Sequence, residues 1–294
     1  MKNKLIVALD VSSLKDAEGL VDKLFPEVRM FKIGSQLFTA TGPDAIRMVQ
    51  EKGGKVFLDL KFHDIPNTVA SACEAALRHG VFMLNIHTLG GIKMMKESVK
   101  RCKEICKKED LSRPILLGVT ILTSMDEKDL RAVGIDKGLD KEVLHLAGLA
   151  KDSGLDGVVA SPHEIDTIRR RFGSRFIIVT PGVRPLDTLI KDDQKRTMTP
   201  GEAIKKGADY IVIGRPVTSH SNPLRAARQI LEYCKRYERP KTWVISKSVE
   251  KFLKETEEEV PFSEVEWKKI ERMAGKKGRI YPSANKFLKA LEKV

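Results

Sequence analysis

Residues 56–68 read VFLDLKFHDIPNT. The alternation in the first half predicts a strand that ends on charged residues. Because residues two apart in a strand face the same way, Phe57, Asp59 and Lys61 share one face. Pro66 suits the first turn of a helix, so the stretch predicts a strand followed closely by a helix.

The same unit recurs along the chain. Eight short runs rich in Val, Ile, Leu and Phe alternate with stretches of helical spacing. The runs are Leu5–Asp10, Met30–Gly34, Val56–Lys61, Phe82–His87, Ile115–Thr120, Gly157–Ser161, Phe176–Pro181 and Tyr210–Gly214. Strands that alternate with helices imply βαβ units and a parallel sheet. Eight units in about 235 residues match an α/β fold of the (β/α)8 TIM-barrel type better than a doubly wound sheet.

Polar residues stand at the carboxyl ends of these runs: Asp10, Lys32, Asp59, Lys61, His87, Thr120 and, just past the eighth, Arg215. A barrel gathers its strand ends around one mouth, where active sites lie. Each polar residue could instead simply mark the end of a strand. That explanation accounts for one or two of them, but it does not predict lysines and aspartates together at inward-facing positions.

The composition is that of a globular protein with a basic balance. Of 294 residues, 41% are hydrophobic and 32% charged, and the formal net charge is +13. This excess of positive charge is compatible with binding of phosphorylated ligands or nucleic acid. Four scattered cysteines do not suit a disulfide framework, and Cys102 with Cys106 lacks the second ligand pair of a zinc site. With no signal peptide and no membrane-spanning apolar run, we expect a cytoplasmic protein without a membrane partner.

A change in sequence character near Arg239 predicts two domains. The barrel pattern occupies residues 1–239 and ends with a helix over Pro223–Tyr237. Residues 240–294 are basic, contain both tryptophans, and are predicted to form a mainly helical extension. Three roles stay open for this extension: a cap on the barrel, an oligomerisation element, or a tethered module for a partner.

The charged residues around the third strand form a set that alternates in sign. Lys32 ends the neighbouring strand, so it is well placed to meet Asp59 and Lys61, and Asp64 follows on a loop. Two ammonium and two carboxylate groups neutralise one another, so all four can stay ionised when partly buried. A charged lysine beside a substrate carbon can give a proton to a carbanion as it forms. The alternative is a salt-bridge ladder on the surface.

A second set of residues predicts an anion site after the seventh and eighth strands. Thr180–Arg184 and Ile213–Arg215 combine glycine, which lets the backbone approach a ligand, with arginine, which binds phosphate through two N–H groups. Barrels often bind phosphate with these two loops. The long polar segment Pro185–Pro200 is predicted to be a lid or binding element, with a mobile surface loop as the alternative.

From Leu5 to about Leu231 the sequence resembles the orotidine 5'-phosphate decarboxylase family in its bacterial form. The motifs that carry the resemblance are Leu-Asp at 9–10, Phe-Lys-Ile-Gly at 31–34, the stretch 59–68, Leu-Thr-Ser at 122–124, Thr-Pro-Gly-Val-Arg at 180–184, Asp-Asp-Gln-Lys-Arg at 192–196 and Ile-Gly-Arg-Pro at 213–216. Asp-x-Lys-x-x-Asp alone is shared with related sugar-phosphate decarboxylases. The whole set in this order is specific.

This resemblance implies conversion of orotidine 5'-phosphate to UMP and carbon dioxide. It implies that Lys61 protonates C6 after carbon dioxide leaves, that Asp59 crowds the substrate carboxylate, and that Lys32 holds Asp59 and the ribose hydroxyls. By the same resemblance Asp10 binds the ribose and Thr123 contacts the pyrimidine.

The resemblance also implies a homodimer with shared active sites. Asp64 and Thr68 look like the pair that the family supplies across the dimer interface. The implied phosphate-binding residues are Arg184, Gln194, Gly214 and Arg215. The family uses neither metal nor organic cofactor, and we expect none here. The extension at 240–294 departs from the family's pattern.

Two other functions compete with this interpretation. Magnesium-dependent decarboxylases of 3-keto-gulonate 6-phosphate and hexulose-phosphate synthases carry an acidic residue where this chain has Lys32. A nucleic-acid-binding protein would need a clustered basic face with aromatic residues, whereas the basic residues here are dispersed. We therefore expect no nucleic-acid partner. His63, His87 and His163 are expected to lie far apart, with His87 a hydrogen-bonded strand-end residue rather than a catalyst.

Overall fold

Eight parallel strands close into a barrel in which each strand pairs with the next along the chain and β8 pairs with β1. The computed structural model describes residues 4–184 and 198–237. The strands are β1 Leu5–Ala8, β2 Met30–Gly34, β3 Lys55–Phe62, β4 Met83–His87, β5 Ile115–Val119, β6 Gly157–Val159, β7 Ile177–Thr180 and β8 Tyr210–Ile213. The predicted (β/α)8 barrel is confirmed. The predicted extension, residues 240–294, lies outside the described part of the chain.

Helices follow the strands and surround the barrel. They are α1 Leu14–Leu24, α2 Ser35–Thr41, α3 Asp44–Glu51, α4 Pro66–Arg78, α5 Gly91–Glu109, α6 Glu127–Ala132, α7 Leu139–Asp152, α8 Ile165–Phe172, α9 Pro200–Lys206, α10 Arg215–Thr218 and α11 Pro223–Tyr237. Two short 3-10 helices cover Thr88–Gly90 and Pro162–Glu164. Pro66 opens α4 as predicted, because its missing N–H would lack a helical partner there in any case.

Several strands are shorter than the apolar runs that predicted them. The runs beginning at Leu5 and Gly157 each extend two residues past the observed strand end. The chain leaves the ladder gradually at these ends: the Leu9 N–H still donates to the Lys32 carbonyl at 2.9 Å. Asp10 therefore lies on the loop after β1 rather than in the strand.

Side chains of the strands alternate between two apolar cores. Residues that point into the barrel, including Phe57, Met83 and Val119, form one cluster. Residues that point outward, including Val56 and Leu58, pack against the helices in a larger cluster. The alternation predicted for the third strand is thus confirmed, and it places Asp59 and Lys61 on the side of Phe57.

The described residues differ from the patterns of metal sites and membrane-spanning helices. Cys73, Cys102 and Cys106 form no disulfide, and in residues 4–184 and 198–237 no three His, Cys, Asp or Glu side chains are grouped as metal ligands. Within the same ranges, no helix has the length and hydropathy needed to cross a bilayer.

Candidate active site

A cavity of about 770 Å³ opens at the carboxyl ends of the strands. Eight of the residues predicted for the site line it: Asp10, Lys32, Asp59, Lys61, Thr123, Arg184, Gly214 and Arg215. They come from loops and strand ends far apart in the chain. Closure of the barrel brings them together because the carboxyl ends of parallel strands meet around one mouth.

Four of these side chains form a continuous row of alternating charge. The Lys32 ammonium lies 2.9 Å from Asp10 Oδ1 and 3.4 Å from Asp59 Oδ2. Asp59 Oδ1 in turn accepts a hydrogen bond from Lys61 Nζ at 2.8 Å. The side chains of Lys32 and Asp59 are only 12% exposed, so this row is not a ladder on the surface.

The carboxylates of Asp59 and Asp10 keep Lys32 in its charged form. Burial disfavours the ammonium form and by itself would lower the pKa of Lys32. The carboxylates of Asp59 and Asp10 outweigh that effect through their charge and hydrogen bonds, and the pKa of Lys32 rises above its ordinary value of 10.5. Lys32 therefore stays positively charged and fixes the carboxylates on both sides of it.

The backbone at Lys61 is irregular. Its φ is +50°, in the left-handed region that residues with a side chain rarely adopt. The pairing of β3 with β4 shifts register between Leu58 and Phe62, so Lys61 lies within a bulge. The Lys61 N–H donates to Asn85 Oδ1 at 2.8 Å, and Asn85 Nδ2 donates to Asp59 Oδ1 at 2.6 Å.

Sequence reasoning did not identify Asn85 or the lining residue Gln36. Asn85 occupies the middle of the predicted strand Phe82–His87 and is fully buried. Asn85 is the only amide in this apolar run and occupies an inward-facing position, and that pattern could have identified it. Gln36 lines the cavity from the first turn of α2 and had no such signal.

A glycine makes room for the row of charges. A Cβ placed on Gly34 would lie 2.9 Å from Lys32 Nζ and 3.3 Å from Asp10 Oδ1. Its φ is −93°, a value open to any residue, so the requirement for glycine here is one of space and not of backbone conformation.

A second part of the cavity wall, formed by the loops after β7 and β8, carries two arginines. Arg184 follows β7, is 5% exposed, and donates its backbone N–H to the Met198 carbonyl at 2.9 Å. Gly214 and Arg215 follow β8 and line the same part of the wall. Gln194 and the motif 192–196 lie outside the described residues.

Asp64 and Thr68 are placed differently from the other predicted site residues. Both are exposed, and neither is among the described residues that line the cavity. Asp64 Oδ1 accepts a hydrogen bond from the Ile65 N–H at 2.6 Å, and the Ile65 side chain is 67% exposed. Within one chain these two residues thus lie outside the described lining of the cavity.

The prediction that His63 and His87 lie far apart was wrong. Their rings stack with centroids 5.4 Å apart, because the loop after β3 and the end of β4 are neighbours in the barrel. Burial, together with the charges of His63 and Lys61, lowers the pKa of His87 to about 4. His87 Nδ1 accepts a hydrogen bond from the Leu89 N–H at 3.4 Å, which fits the expected strand-end role.

The fold and the cavity together define a (β/α)8-barrel enzyme. Its site pairs a row of lysines and aspartates at β1–β3 with arginines after β7 and β8, where barrels bind phosphate.

The chain belongs to the Orotidine 5'-phosphate decarboxylase / HUMPS family, whose model matches residues 3–230. It is 52% identical over 230 residues to the orotidine 5'-phosphate decarboxylase of Moorella thermoacetica, covering 78% of this chain and 91% of that relative. The enzyme of the same name from Legionella pneumophila strain Philadelphia 1 is 48% identical over 231 residues, covering 79% and 99%. The crystal structure of orotidine 5'-phosphate decarboxylase from Lactobacillus acidophilus matches with a TM-score of 0.70 and 36% identity, over 79% of this chain and 99% of that one. The resemblance described from the motifs is thereby confirmed.

Proposed function

We propose that this chain converts orotidine 5'-phosphate to UMP and carbon dioxide without a metal or organic cofactor. The observation that carries the proposal is the row Asp10–Lys32–Asp59–Lys61, with Lys32 and Asp59 largely buried, at the mouth of a barrel of this family. The names of the curated relatives, at about half identity over most of the chain, support the same reaction.

Lys61 is the proton donor in this proposal. When the bond between C6 and the carboxylate breaks, its electron pair stays on C6 and carbon dioxide leaves. The ammonium of Lys61 then gives a proton to C6, which forms the C–H bond of UMP, and solvent restores the ammonium. No adjacent π-system can take up the charge on C6, so fixed charges close to that carbon must stabilise it.

Asp59 acts on the substrate carboxylate. A carboxylate bound beside Asp59 meets a like charge that Lys32 and Lys61 hold in place, at 3.4 and 2.8 Å. That repulsion is relieved when carbon dioxide leaves, so it favours the transition state over the bound substrate. Asp10 binds the ribose and Thr123 contacts the pyrimidine ring.

The phosphate binds at the loops after β7 and β8. Arg184, Gln194, Gly214 and Arg215 are the proposed phosphate-binding residues, and three of them line the cavity. Because the phosphate lies away from the reacting carbon, its binding energy can hold the pyrimidine against the charged row. Substrates that lack the phosphate should lose turnover as well as affinity.

The active form in this proposal is a homodimer in which Asp64 and Thr68 complete the partner's site. Both residues are exposed, and Asp64 follows the cavity-lining residue Lys61 by three positions, which supports this arrangement. The apolar side chains of Ile65, Leu89 and Ile92 are 67%, 43% and 43% exposed at the neighbouring ends of β3 and β4. Their burial between two chains would remove that apolar surface from water.

The barrel domain, residues 1–239, carries the chemistry in this proposal. This division is supported by the Legionella relative, which is matched over 99% of its own length by 231 residues of this chain, a length close to that of the barrel domain. The extension at 240–294 then serves packing, assembly or a partner. The unpaired thiols of Cys73, Cys102 and Cys106 support a reducing compartment and a cytoplasmic location.

The competing function is that of the magnesium-dependent sugar-phosphate decarboxylases and synthases. Lys32 argues against them, because its ammonium lies between Asp10 and Asp59, where a divalent cation would otherwise bridge two carboxylates.

The test is UMP release from orotidine 5'-phosphate by the full chain and by a chain ending at Arg239, each with and without EDTA. We expect both chains to release UMP and EDTA to leave the rate unchanged. Activity that disappears with EDTA and returns with Mg²⁺ would favour the sugar-phosphate enzymes.

A further inference from the structure

Asn85 contacts both residues at the centre of the proposed chemistry. It lies in β4 and points into the barrel, since Met83 two residues earlier belongs to the interior cluster, while Leu84 and Ile86 face the helices. Its side chain is fully buried. It is not among the described residues that line the cavity, so any effect on the reaction passes through its neighbours.

The two ends of the Asn85 amide have different partners. Nδ2 donates to Asp59 Oδ1 at 2.6 Å, and Oδ1 accepts from the backbone N–H of Lys61 at 2.8 Å. The same Asp59 oxygen accepts from Lys61 Nζ. One side chain thus fixes the carboxylate of Asp59 and the backbone of Lys61 relative to each other.

The irregular pairing of β3 with β4 explains why a side chain is needed here. The ladder pairs Leu58 with Leu84 and resumes at Phe62 with Ile86, so β3 advances four residues while β4 advances two. Residues within such a bulge lose their ladder partners. Asn85 supplies a partner for the Lys61 N–H and so supports the left-handed backbone that directs the Lys61 side chain.

We propose that Asn85 is a positioning residue for the decarboxylation. It holds the Lys61 ammonium and the Asp59 carboxylate in a fixed position relative to each other. This role rests on the proposed function. Removing the amide leaves a partly buried N–H and a carboxylate oxygen each without one partner, and both groups then move to find another. Misplacement by about 1 Å can reduce a rate about 10²-fold.

Loss of Asn85 should not alter the phosphate-binding part of the cavity. In the closed order of the barrel β4 lies opposite β8, and the arginines follow β7 and β8. UMP has no carboxylate at C6 and needs no protonation. Loss of Asn85 should therefore lower kcat and leave UMP binding nearly unchanged.

The test compares N85A with the control T88V in the full chain. Thr88 is also fully buried, and its Oγ1 donates to the Val119 carbonyl at 2.7 Å, so T88V removes a neighbouring buried hydrogen bond away from Asp59 and Lys61. We expect N85A to lower kcat about 10²-fold, with the dissociation constant of UMP within about threefold of the parent. T88V should keep the parent kcat. If N85A loses the native circular dichroism spectrum, N85L, which fills the same space without polar atoms, replaces it under the same criteria.

Each other outcome is decisive. A parent chain that releases no UMP overturns the proposed function, and the role of Asn85 with it. An active parent with an equally active N85A overturns the positioning role alone. Equal losses of kcat in N85A and T88V, or a loss of UMP affinity as large as the loss of kcat, would show general damage to the barrel and would also overturn it.

Discussion

Replacement of Gly34 by alanine should disturb the row of charges without unfolding the barrel. The new Cβ would lie 2.9 Å from Lys32 Nζ and 3.3 Å from Asp10 Oδ1. The first distance is shorter than ordinary van der Waals contact, which begins near 3.4 Å, so the ammonium must retreat by about 0.5 Å. Lys32 is a flexible side chain and can do so, but only by lengthening its contacts with Asp10 and Asp59.

The effects on stability and on rate should differ. Alanine lowers the conformational entropy of the unfolded chain, which stabilises by about 0.4–1 kcal/mol. Gly34 also precedes the first residue of α2, a position where alanine is less favourable than glycine by a similar amount. These two contributions nearly offset each other. If 1 Å of misplacement reduces a rate about 10²-fold, half that distance should reduce kcat/KM about tenfold.

The assay is UMP release at several substrate concentrations, with thermal unfolding of the same samples. The matched control is Gly19→Ala in α1, where a new Cβ meets no atom within 4 Å. The control should gain about 0.5–1 kcal/mol in stability, since glycine is unfavourable within a helix, and keep the parent kinetics. A Gly34→Ala enzyme with parent kcat/KM would refute the reasoning, because the position of Lys32 would then not limit the rate.

Three further predictions follow from the site. Lys61→Ala should lower kcat by more than the 10²- to 10⁴-fold typical of general acid catalysis while UMP binding largely remains, and an enzyme within tenfold of the parent would remove Lys61 from its role. Co-expression of Lys61→Ala with Asp64→Ala chains should restore about a quarter of the parent activity, because about half of the dimers are mixed and each mixed dimer has one intact site. If no activity is recovered, each site is built from one chain. Because the folded pKa of His87 is about 4, below the ordinary 6.5, the unfolded chain binds more protons as the pH falls from 6.5 to 4, and stability decreases over that range. His87→Gln should therefore show a smaller decrease in Tm between pH 7 and pH 4.5 than the parent, and equal decreases would contradict the neutral state of His87.

The barrel was predictable because its signal is local. Each strand appears as a mainly apolar run of five or six residues, and the side chains within it alternate with a period of two. That period alone placed Phe57, Asp59 and Lys61 on one face, and the structure agrees. The regular alternation of strand and helix then fixed the parallel order.

Contacts between site residues could be predicted from the sequence only where regular pairing of neighbouring strands determines them. Lys32 and Asp59 face the barrel interior from the neighbouring strands β2 and β3, so their contact follows from the strand order. The stacking of His63 on His87 and the hydrogen bonds of Asn85 do not follow from it. They depend on a bulge between β3 and β4, which breaks the regular pairing that the prediction assumed.

The sequence by itself determined the eight strands, their inward faces and the charged residues at the mouth, since these follow from short-range periodicity. Only the tertiary structure decided the left-handed backbone of Lys61, the bridge by Asn85 and the close approach of Gly34 to Lys32. Each of these results from packing residues distant in the chain at distances of a few ångströms. Local conformational preference does not encode such distances, and at Lys61 it opposes the backbone that the packed barrel imposes.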